Sequence, residues 1–249
     1  MTTHKTIVIT GASTGIGKAT AQLFANNHVK VYNFDMKKPD YSHDLIETII
    51  CNTSKYAEIK SGFEAVMLKE TELNHLFVNA GINVYGTLED TTVEDINRMI
   101  DIDVKGYLFT LKCALPIMKQ QKNGGTIVLN GSDNTFVGKH AMTVYGCSKG
   151  AVGQMTKGVA IDYAKFNIRV NCICPGTIDV PTVHQLIDDF SKKTGESRES
   201  LMQKFITAQP MHKLGTPEEV ARLVYFLCSD QTPFMTGSLI SIDGGYVAQ

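Results

Sequence analysis

The segment from Thr143 to Lys149 brings together a phenol and an ammonium group that can work as a unit. Tyr145 and Lys149 are four residues apart, so in a helix their side chains lie on one face, one turn apart. A free tyrosine titrates near pH ~10 and a free lysine near ~10.4, so neither alone exchanges protons at neutral pH. In a closed site the cation favours the phenolate, which predicts Tyr145 as a general acid/base. The same spacing also fits an aromatic ring packed on a lysine stem, so the surrounding elements must decide.

A glycine-rich turn near the N-terminus predicts a site for a dinucleotide phosphate. The β-branched run of residues 6–10 is typical of a strand buried on both faces, and residues 18–26 form a helical pattern. Between them lies Gly-x-x-x-Gly-x-Gly, where the glycines allow a sharp turn and the helix start presents N–H groups to negative charge. A tight connection without a ligand is the alternative interpretation. The residues expected at the phosphates are Gly11, Ser13, Thr14, Gly15, Ile16 and Gly17.

Asp35 ends the second predicted strand, about 20 residues beyond the glycine-rich turn. A carboxylate there can accept hydrogen bonds from both ribose hydroxyls of an adenosine and repels a 2′-phosphate. The sequence therefore predicts NAD as the cofactor in preference to NADP. Lys37 and Lys38 lie close by and keep NADP open as the alternative.

Strand-like and helix-like segments alternate along the chain. Residues 36–44 are polar and contain a proline, which predicts a loop in place of a crossover helix. Further strands are expected at residues 47–51, 75–78, 126–130, 169–174 and 238–242, with helices at residues 55–71, 91–115 (leading to Pro116) and 145–165. This alternation predicts an α/β fold, a doubly wound, mainly parallel, seven-stranded sheet covered on both faces.

In such sheets ligands bind beyond the carboxyl ends of the strands. Five groups of candidate residues fall there: the loop 11–17, Asp35, residues 79–81, Ser132 and residues 175–177. Asn79, Ala80 and Gly81 are small enough to let the chain pass beneath a flat ligand, and the Asn52 amide can meet an adenine edge. Their convergence predicts one ligand site along this rim.

Residues 178–213 interrupt the alternation with mixed charge and a helical apolar pattern. Directly after the cofactor rim, this stretch predicts a helical substrate lid within a single domain that spans residues 1–249. A solvated helical excursion without a role is the alternative. Thr216 and Pro217 then predict a helix start, as N-cap and first helical residue.

The composition narrows the functional classes. The chain has 249 residues, a formal net charge of -1 and a pI near 6.6, so no basic field favours nucleic acid or an anionic membrane. Residues 1–5 show no signal-like region, and no apolar run approaches the roughly 18 residues of a membrane span. The six cysteines lack any Cys-x-x-Cys pair, which predicts buried thiols, no zinc or other metal site and a cytoplasmic location.

Taken together, the motifs resemble the short-chain dehydrogenase/reductase family over nearly the whole chain. They are the glycine turn preceded by Thr10, Asn79-Ala-Gly81, Ser132 thirteen residues before Tyr145-x-x-x-Lys149, Pro175-Gly176 and the terminal Asp243-Gly-Gly. The resemblance implies a Rossmann fold and hydride transfer between a nicotinamide and an alcohol or carbonyl. It also implies a homo-oligomer, a tetramer or dimer, formed through the tyrosine-bearing helix and the last helix and strand.

The same resemblance assigns roles at the predicted rim. Tyr145 is the general acid/base, Ser132 hydrogen-bonds the substrate oxygen, and Lys149 lowers the pKa of Tyr145 and holds the nicotinamide ribose. Pro175, Gly176, Thr177 and Ile178 are expected to line the nicotinamide half of the cofactor site.

Three residues depart from the family pattern. Asp103 stands where the family has an asparagine that kinks a helix so that its carbonyl holds a water linked to the lysine. The aspartate can keep that role while adding a negative charge near Lys149, so Asp103 joins the predicted catalytic residues. Val78 replaces the first of two usual asparagines, and Asn52 replaces the usual aspartate near adenine.

The substrate is less defined. The shortened segment after Asp35 and the run 172–181 are similar to the 3-hydroxybutyrate dehydrogenase-like and dihydrodiol dehydrogenase-like branches. Predicted substrate contacts are Ser132, Asn134, His140, Tyr145 and His184, with Asp133 and Lys139 nearby; this mixture suits a small polar hydroxyl compound, with or without a carboxylate. Two other functions stay open: a non-catalytic dinucleotide-binding regulatory protein, and a dehydratase or epimerase.

Overall fold

The computed structural model describes residues 4–249, and seven parallel strands form its central sheet. The strands are β1 Thr6–Thr10, β2 Lys30–Asp35, β3 Ile46–Ile50, β4 His75–Val78, β5 Gly125–Asn130, β6 Ile168–Pro175 and β7 Leu239–Ile242. Their order in the sheet is β3-β2-β1-β4-β5-β6-β7, so strands are added on one side of β1 up to β3 and on its other side from β4 onwards. This is the doubly wound α/β topology that the sequence predicts.

The described part of the chain contains eight helices. They are α1 Gly15–Asn26, α2 Tyr56–Met67, α3 Val93–Met99, α4 Gly106–Gln120, α5 Thr143–Tyr163, α6 Pro181–Thr194, α7 Arg198–Thr207 and α8 Pro217–Cys228. A π-helical stretch, Ile100–Lys105, joins α3 to α4. Thr216 caps α8 through a capping box with Glu219, and Pro217 is its first residue, as predicted.

Side chains along β1 alternate between two hydrophobic cores, one on each face of the sheet. Val8 faces a core that includes Phe63 of α2 and Leu111 of α4. Ile9 faces the opposite core, which includes Phe24 of α1 and Val224 of α8. Because successive side chains of a strand point to opposite faces, an entirely apolar strand is buried on both sides.

Of two predictions about where helices are interrupted, the first is confirmed and the second is wrong. The segment between β2 and β3 contains no helix in the structure, as its proline and polar residues predict. The expected helix end before Pro116 is wrong, since α4 runs through Pro116 to Gln120. Proline removes one helical N–H bond, but the neighbouring Leu115 and Met118 are buried in the core and hold the helix across that gap.

Within residues 4–249, the structure has no helix long and apolar enough to cross a membrane. The first three residues, which belong to the N-terminal segment predicted to lack a signal and to the predicted domain, lie outside the described residues. All six cysteines are free thiols; Cys147 is exposed and Cys113 half-buried, against the expectation of burial, while the other four are buried.

Candidate active site

A cavity of about 510 Å³ follows the carboxyl ends of the strands. Its volume lies within the range of small-molecule and cofactor sites. Predicted site residues that line the cavity are Gly11, Thr14, Gly15, Ile16, Asp35, Asn52, Asn79, Ala80, Gly81, Ser132, Asn134, Tyr145, Lys149, Pro175, Gly176, Thr177 and Ile178. Predicted site residues outside its lining are Ser13, Gly17, Asp103, His140 and His184. Ser13 and Gly17 belong to the glycine-rich loop, Asp103 Oδ2 lies 3.1 Å from Lys149 Nζ, and neither histidine lines the cavity.

The glycine-rich loop fits a phosphate group. A Cβ on Gly17 would lie 2.1 Å from the Gly11 carbonyl oxygen, and Gly11 itself has φ +72, so neither position tolerates a side chain. No side chain among residues 4–249 caps α1, and its first turn holds no acidic residue. The N–H groups at the start of α1 are therefore left for an anion, which the helix dipole also favours.

A chain of amide hydrogen bonds fixes the floor of the cavity. Asn79 Nδ2 donates to the carbonyls of Thr10 and Gly11 at 3.1 and 3.0 Å, which makes Asn79 Oδ1 an acceptor. Asn130 Nδ2 donates to that oxygen at 3.0 Å. The Asn130 Oδ1 atom is consequently a buried acceptor without a hydrogen-bond partner among the described residues.

Asp35 lies at the far end of the cavity, held by the backbone. Its carboxylate accepts from the Ser13 N–H at 3.0 Å and from the Lys37 N–H at 3.3 Å. Lys37 also lines the cavity. Asn52 is near, although its Oδ1 accepts from the backbone and hydroxyl of Ser54, so its oxygen serves a local turn.

Tyr145 and Lys149 share one face of α5, and the lysine is buried in a ring of polar atoms. Lys149 Nζ donates to the Asn130 carbonyl at 3.2 Å and lies 3.1 Å from Asp103 Oδ2, off the direction of a hydrogen bond. Asp103 is fully buried in the π-helical stretch, and its Oδ1 accepts from the Ile82 N–H at 2.9 Å. The structure thus brings the three residues together as a buried charge pair beside a phenol.

The charges of this group move the pKa of each member. Burial by itself lowers the pKa of Lys149, but the neighbouring Tyr107, Asp103 and Tyr145 side chains raise it well above its ordinary value. Burial raises the pKa of Asp103, and Lys149 opposes that rise. Burial also raises the pKa of Tyr145; Lys149 lowers it and Asp103 raises it. The expected net lowering of the Tyr145 pKa by Lys149 is therefore not found in the protein alone, because burial and Asp103 outweigh the lysine.

Ser132 lies beside a polar cluster that follows β5. Its hydroxyl donates to Asp133 Oδ1 at 3.0 Å and accepts from the Asn134 N–H at 3.1 Å. Asp133 pairs with Lys139 Nζ at 2.5 Å, and that ammonium lies 3.9 Å from the centre of the Tyr246 ring. Tyr246, close to the C-terminus, therefore lines the cavity on the side of this polar cluster.

The predicted lid consists of α6 and α7, and its base is fixed. Ile178 and Gly215 form a parallel bridge in which the Asp179 N–H donates to the Gly215 carbonyl at 2.8 Å. Above the base, the Tyr85 and Phe190 rings meet edge to face, 4.1 Å between centroids, and join the lid to the loop after β4. The predicted lid is thus fixed at its base by the Ile178–Gly215 bridge, and Phe190 of α6 packs against Tyr85 from the loop after β4.

Two predicted substrate residues are not brought to the cavity. His140 is exposed. His184 lies on the outer side of α6, where Nε2 is 2.6 Å from Asp179 Oδ1 and Nδ1 is 2.8 Å from an Arg198 guanidinium nitrogen. These contacts make His184 part of the lid's own polar network.

Sequence reasoning missed Gln209 and Tyr246, which both line the cavity. Gln209 follows α7 and is buried, with its Nε2 donating to the Thr177 hydroxyl at 3.2 Å. Tyr246 follows the Asp243-Gly-Gly motif, in which the Asp243 carboxylate accepts from the Gly245 and Val247 N–H groups. That motif was a signal for a turn at the C-terminus, but nothing local to it indicates where the turn delivers the tyrosine.

The fold and this rim define a dinucleotide-binding oxidoreductase of the Rossmann class. The family model described as Enoyl-(Acyl carrier protein) reductase matches residues 11–247. An uncharacterized oxidoreductase of Thermotoga maritima is 35% identical over 98% of both chains. Dehydrogenase/reductase SDR family member 6 of Xenopus laevis is 33% identical over 97% of both chains. The chain belongs to the short-chain dehydrogenase/reductase family.

Solved structures agree with this assignment. The aldohexose dehydrogenase of Thermoplasma acidophilum superposes with a TM-score of 0.92 at 30% identity, covering 99% of this chain and 95% of that one. ElxO with NADP bound has a TM-score of 0.89 at 31% identity, covering 99% and 100%. The 3-ketoacyl-(acyl-carrier-protein) reductase of Brucella melitensis, in complex with NADH, has a TM-score of 0.87 at 26% identity, covering 98% of both. These similar proteins include complexes with either dinucleotide.

Proposed function

We propose that this protein is an NAD-dependent oxidoreductase that transfers a hydride between the nicotinamide and a small polar secondary alcohol or its ketone. The observation that carries the proposal is the convergence of Ser132, Tyr145 and Lys149 on the cavity that also holds the glycine-rich loop. A dinucleotide and a small substrate bound along that cavity would meet at these three side chains.

The proposed chemistry assigns each side chain one step. A nicotinamide bound beside these residues would supply the hydride transfer to and from the substrate carbon, and the side chains of this chain would handle the proton. The Ser132 hydroxyl, which donates its one hydrogen to Asp133 Oδ1 in the unliganded protein, would donate it to the substrate oxygen instead and hold that oxygen beside Tyr145. In oxidation, the Tyr145 phenolate takes the alcohol proton, and in reduction the phenol gives it back. Lys149 stabilises the phenolate by charge, and its contact with the Asn130 carbonyl orients it.

NAD is proposed on the position of Asp35. The carboxylate is held at the end of β2 by two backbone N–H groups, where a ribose hydroxyl pair can donate to it and a 2′-phosphate would be repelled. Lys37 lines the same end of the cavity and supplies the charge that a 2′-phosphate would need. The ratio of the dissociation constants for NAD and NADP therefore has to be measured to test this part of the proposal.

No feature of the described residues favours the alternative of a dinucleotide-binding regulatory protein without catalytic activity. Asp103, the residue that suggested it, keeps Lys149 charged beside Tyr145 and leaves the serine and tyrosine at the cavity. A dehydratase or epimerase on this fold would retain NAD tightly and show no net change in its redox state.

The proposal includes a homo-oligomer in the cytoplasm that acts on small molecules. Exposed apolar side chains on the helix faces support the oligomer: Leu108 on α4, Ile161 on α5 and Phe226 on α8. Light scattering on the purified protein measures the number of subunits, and a monomer at micromolar concentration would contradict this part of the proposal.

The test is a spectrophotometric assay at 340 nm with NAD and NADP, across hydroxy acids, polyols, sugars and cyclic diols. We expect NADH to form with at least one member, and Tyr145→Phe to lose that activity by about a thousandfold or more, since the variant cannot accept the proton. Calorimetry should show that Tyr145→Phe still binds NAD. Wild-type turnover by Tyr145→Phe would contradict the mechanism, and bound NAD without turnover of any member would favour a non-catalytic role.

A further inference from the structure

Ser132 has one hydrogen to donate, and the structure gives that hydrogen to Asp133. A serine hydroxyl has one donor hydrogen and two acceptor lone pairs, whereas an ionised carboxylate can only accept. The 3.0 Å contact between Ser132 Oγ and Asp133 Oδ1 therefore uses the serine hydrogen. The serine oxygen accepts from the Asn134 N–H at 3.1 Å, while Asn134 Nδ2 lies farther away, at 3.4 Å. Ser132 consequently has no hydrogen left for a substrate oxygen unless Asp133 releases it.

The Asp133 carboxylate is fixed beside the serine. Its side chain is 2% exposed, and it begins the 3₁₀ turn that follows Ser132. Oδ1 also accepts from Asn134 Nδ2 at 3.1 Å, and Oδ2 pairs with Lys139 Nζ at 2.5 Å. The Tyr246 ring lies against the lysine, with 3.9 Å between the ammonium and the ring centre. The carboxylate cannot turn away from Ser132 without leaving these buried donors unpaired, which is unfavourable.

The catalytic phenol competes for the same serine hydrogen. Burial is the main cause of the raised pKa of Tyr145, and Lys149 opposes that rise. To a smaller extent a hydrogen bond with the Ser132 hydroxyl also opposes the rise, and the Asp133 charge adds to it. The serine hydroxyl is thus within reach of both the carboxylate and the phenol. A substrate oxygen bound beside Tyr145 would have to take the serine hydrogen from Asp133.

We propose that Asp133 is a positioning residue that competes with the substrate for the Ser132 hydrogen, and that Lys139 weakens this competition by sharing the Asp133 charge. The inference rests on the proposed oxidoreductase function and gives both residues a role in it. A ketone oxygen can only accept, so it must displace Asp133 to gain the serine hydrogen bond. An alcohol brings its own hydrogen and can donate it to the second lone pair of Ser132 Oγ. The Asp133–Lys139 pair therefore favours binding of the alcohol over the ketone.

Asp133→Asn tests the first residue. The Lys139 ammonium can only donate, so it keeps the amide oxygen on its own side, and the amide nitrogen faces Ser132 Oγ. The serine oxygen then accepts from that nitrogen, and the serine hydrogen is free for the substrate. Asn134 can accommodate the change by turning its amide over, because its Oδ1 has no hydrogen-bond partner among residues 4–249. We expect KM for a ketone to fall about fivefold and KM for the matching alcohol to change by less than about twofold.

Lys139→Met tests the second residue, with an expected effect in the opposite direction. The variant keeps the apolar stem but leaves Asp133 without its cation, so the carboxylate becomes a stronger acceptor for the Ser132 hydrogen. We expect KM for the ketone to rise about fivefold. Lys139→Arg retains the charge and should restore the wild-type KM to within about twofold. A purely structural role of the pair predicts instead that Asp133→Asn and Lys139→Met raise KM for ketone and alcohol alike.

The assay follows absorbance at 340 nm with saturating dinucleotide and two ketone–alcohol pairs, dihydroxyacetone with glycerol and acetoacetate with 3-hydroxybutyrate. Any pair that the wider panel identifies is measured in the same way. Asp230→Asn is the matched control, since it removes the acid of an exposed lysine pair, with Lys5 at 3.3 Å. We expect its KM values to equal those of the wild type.

The outcomes separate the inference from the proposed function. An unchanged ketone KM in Asp133→Asn, with native circular dichroism, would overturn the inference and leave the oxidoreductase function standing. An equal rise of KM for ketone and alcohol in that variant would do the same. Bound dinucleotide with no turnover of any compound by the wild type would overturn the function and the inference with it.

Discussion

Lys149 Nζ lies 3.1 Å from Asp103 Oδ2, and both side chains are almost completely buried. The aspartate comes from the π-helical stretch between α3 and α4, and the lysine from α5. Gly81 gives them room, since a Cβ there would lie 2.8 Å from Asp103 Oδ2. The usual asparagine of the family would be neutral at this point. In this chain the lysine instead lies beside a carboxyl group, whose charge raises the pKa of Lys149 and of Tyr145.

Asp103→Asn is expected to lower the pKa of Tyr145. Asp103 raises that pKa by charge, so removing the charge leaves Lys149 less opposed in stabilising the phenolate. In the proposed mechanism alcohol oxidation requires the phenolate, so the acidic limb of kcat/KM should move to lower pH. The measurement is the pH dependence of kcat/KM for alcohol oxidation.

Asp101→Asn is the matched control for this experiment. Asp101 belongs to the same π-helical stretch, but its carboxylate is exposed and pairs with Lys105 at 2.8 Å. We expect its pH profile to coincide with that of the wild type. An Asp103→Asn profile that also coincides with the wild type would show that Asp103 is not coupled to the proton transfer.

Asp35→Ala is expected to weaken NAD binding and to relax discrimination against NADP. The variant removes the acceptor for the ribose hydroxyls and the charge that repels a 2′-phosphate, while Lys37 remains. We expect about a tenfold or greater rise in the NAD dissociation constant, as for the loss of a charge-assisted hydrogen bond. Calorimetry with each dinucleotide measures both affinities, with Asp40→Ala, an exposed acid on the same loop, as control. Unchanged affinity for both dinucleotides would refute the assignment.

The sequence predicts the rim well because its residues are tied to strand ends. Glycines after β1, Asp35 at the end of β2 and Ser132 just after β5 must lie on one edge once the strands are parallel and their order is known. Tyr145 and Lys149 need only one turn of helix to be aligned. Local chemistry and a regular sheet are sufficient for this part of the site.

The other features of the candidate site depend on packing between segments that are distant in sequence. Tyr246 reaches Lys139 only because β7 pairs with β6 and the glycines after Asp243 turn the chain. His184 was expected in the cavity, but its direction depends on the rotational phase of α6, which starts at Pro181 and is not fixed by the motif before it. The pKa of Tyr145 likewise depends on how deeply the helix is buried, a quantity that spacing does not contain.

His184→Ala is expected to loosen the lid without removing a substrate contact. His184 joins Asp179 at the base of the lid to Arg198 at the start of α7. Loss of about 1 kcal/mol from these exposed contacts corresponds to roughly fivefold faster amide hydrogen exchange in α6 and α7. Hydrogen-exchange mass spectrometry measures this, with exposed His140 as the control position. Wild-type exchange in the lid together with a large rise in substrate KM would instead place His184 at the substrate.

His75→Asn is expected to change how stability depends on pH. Burial lowers the pKa of His75 from 6.5 to about 3, and its Nδ1 lies 2.6 Å from the Thr126 hydroxyl. Below its unfolded pKa the unfolded chain binds a proton that the folded protein excludes, so this contribution is complete above pH 6.5 and is lost as pH falls towards 3. Relative to His75→Asn, the wild-type free energy of unfolding should therefore fall by up to ~1.4 kcal/mol per pH unit across that window. Urea titrations from pH 7 to pH 4 measure the difference, with exposed His140→Asn expected to show none of it. A constant difference between wild type and His75→Asn over that range would show that His75 does not remain neutral in the folded protein.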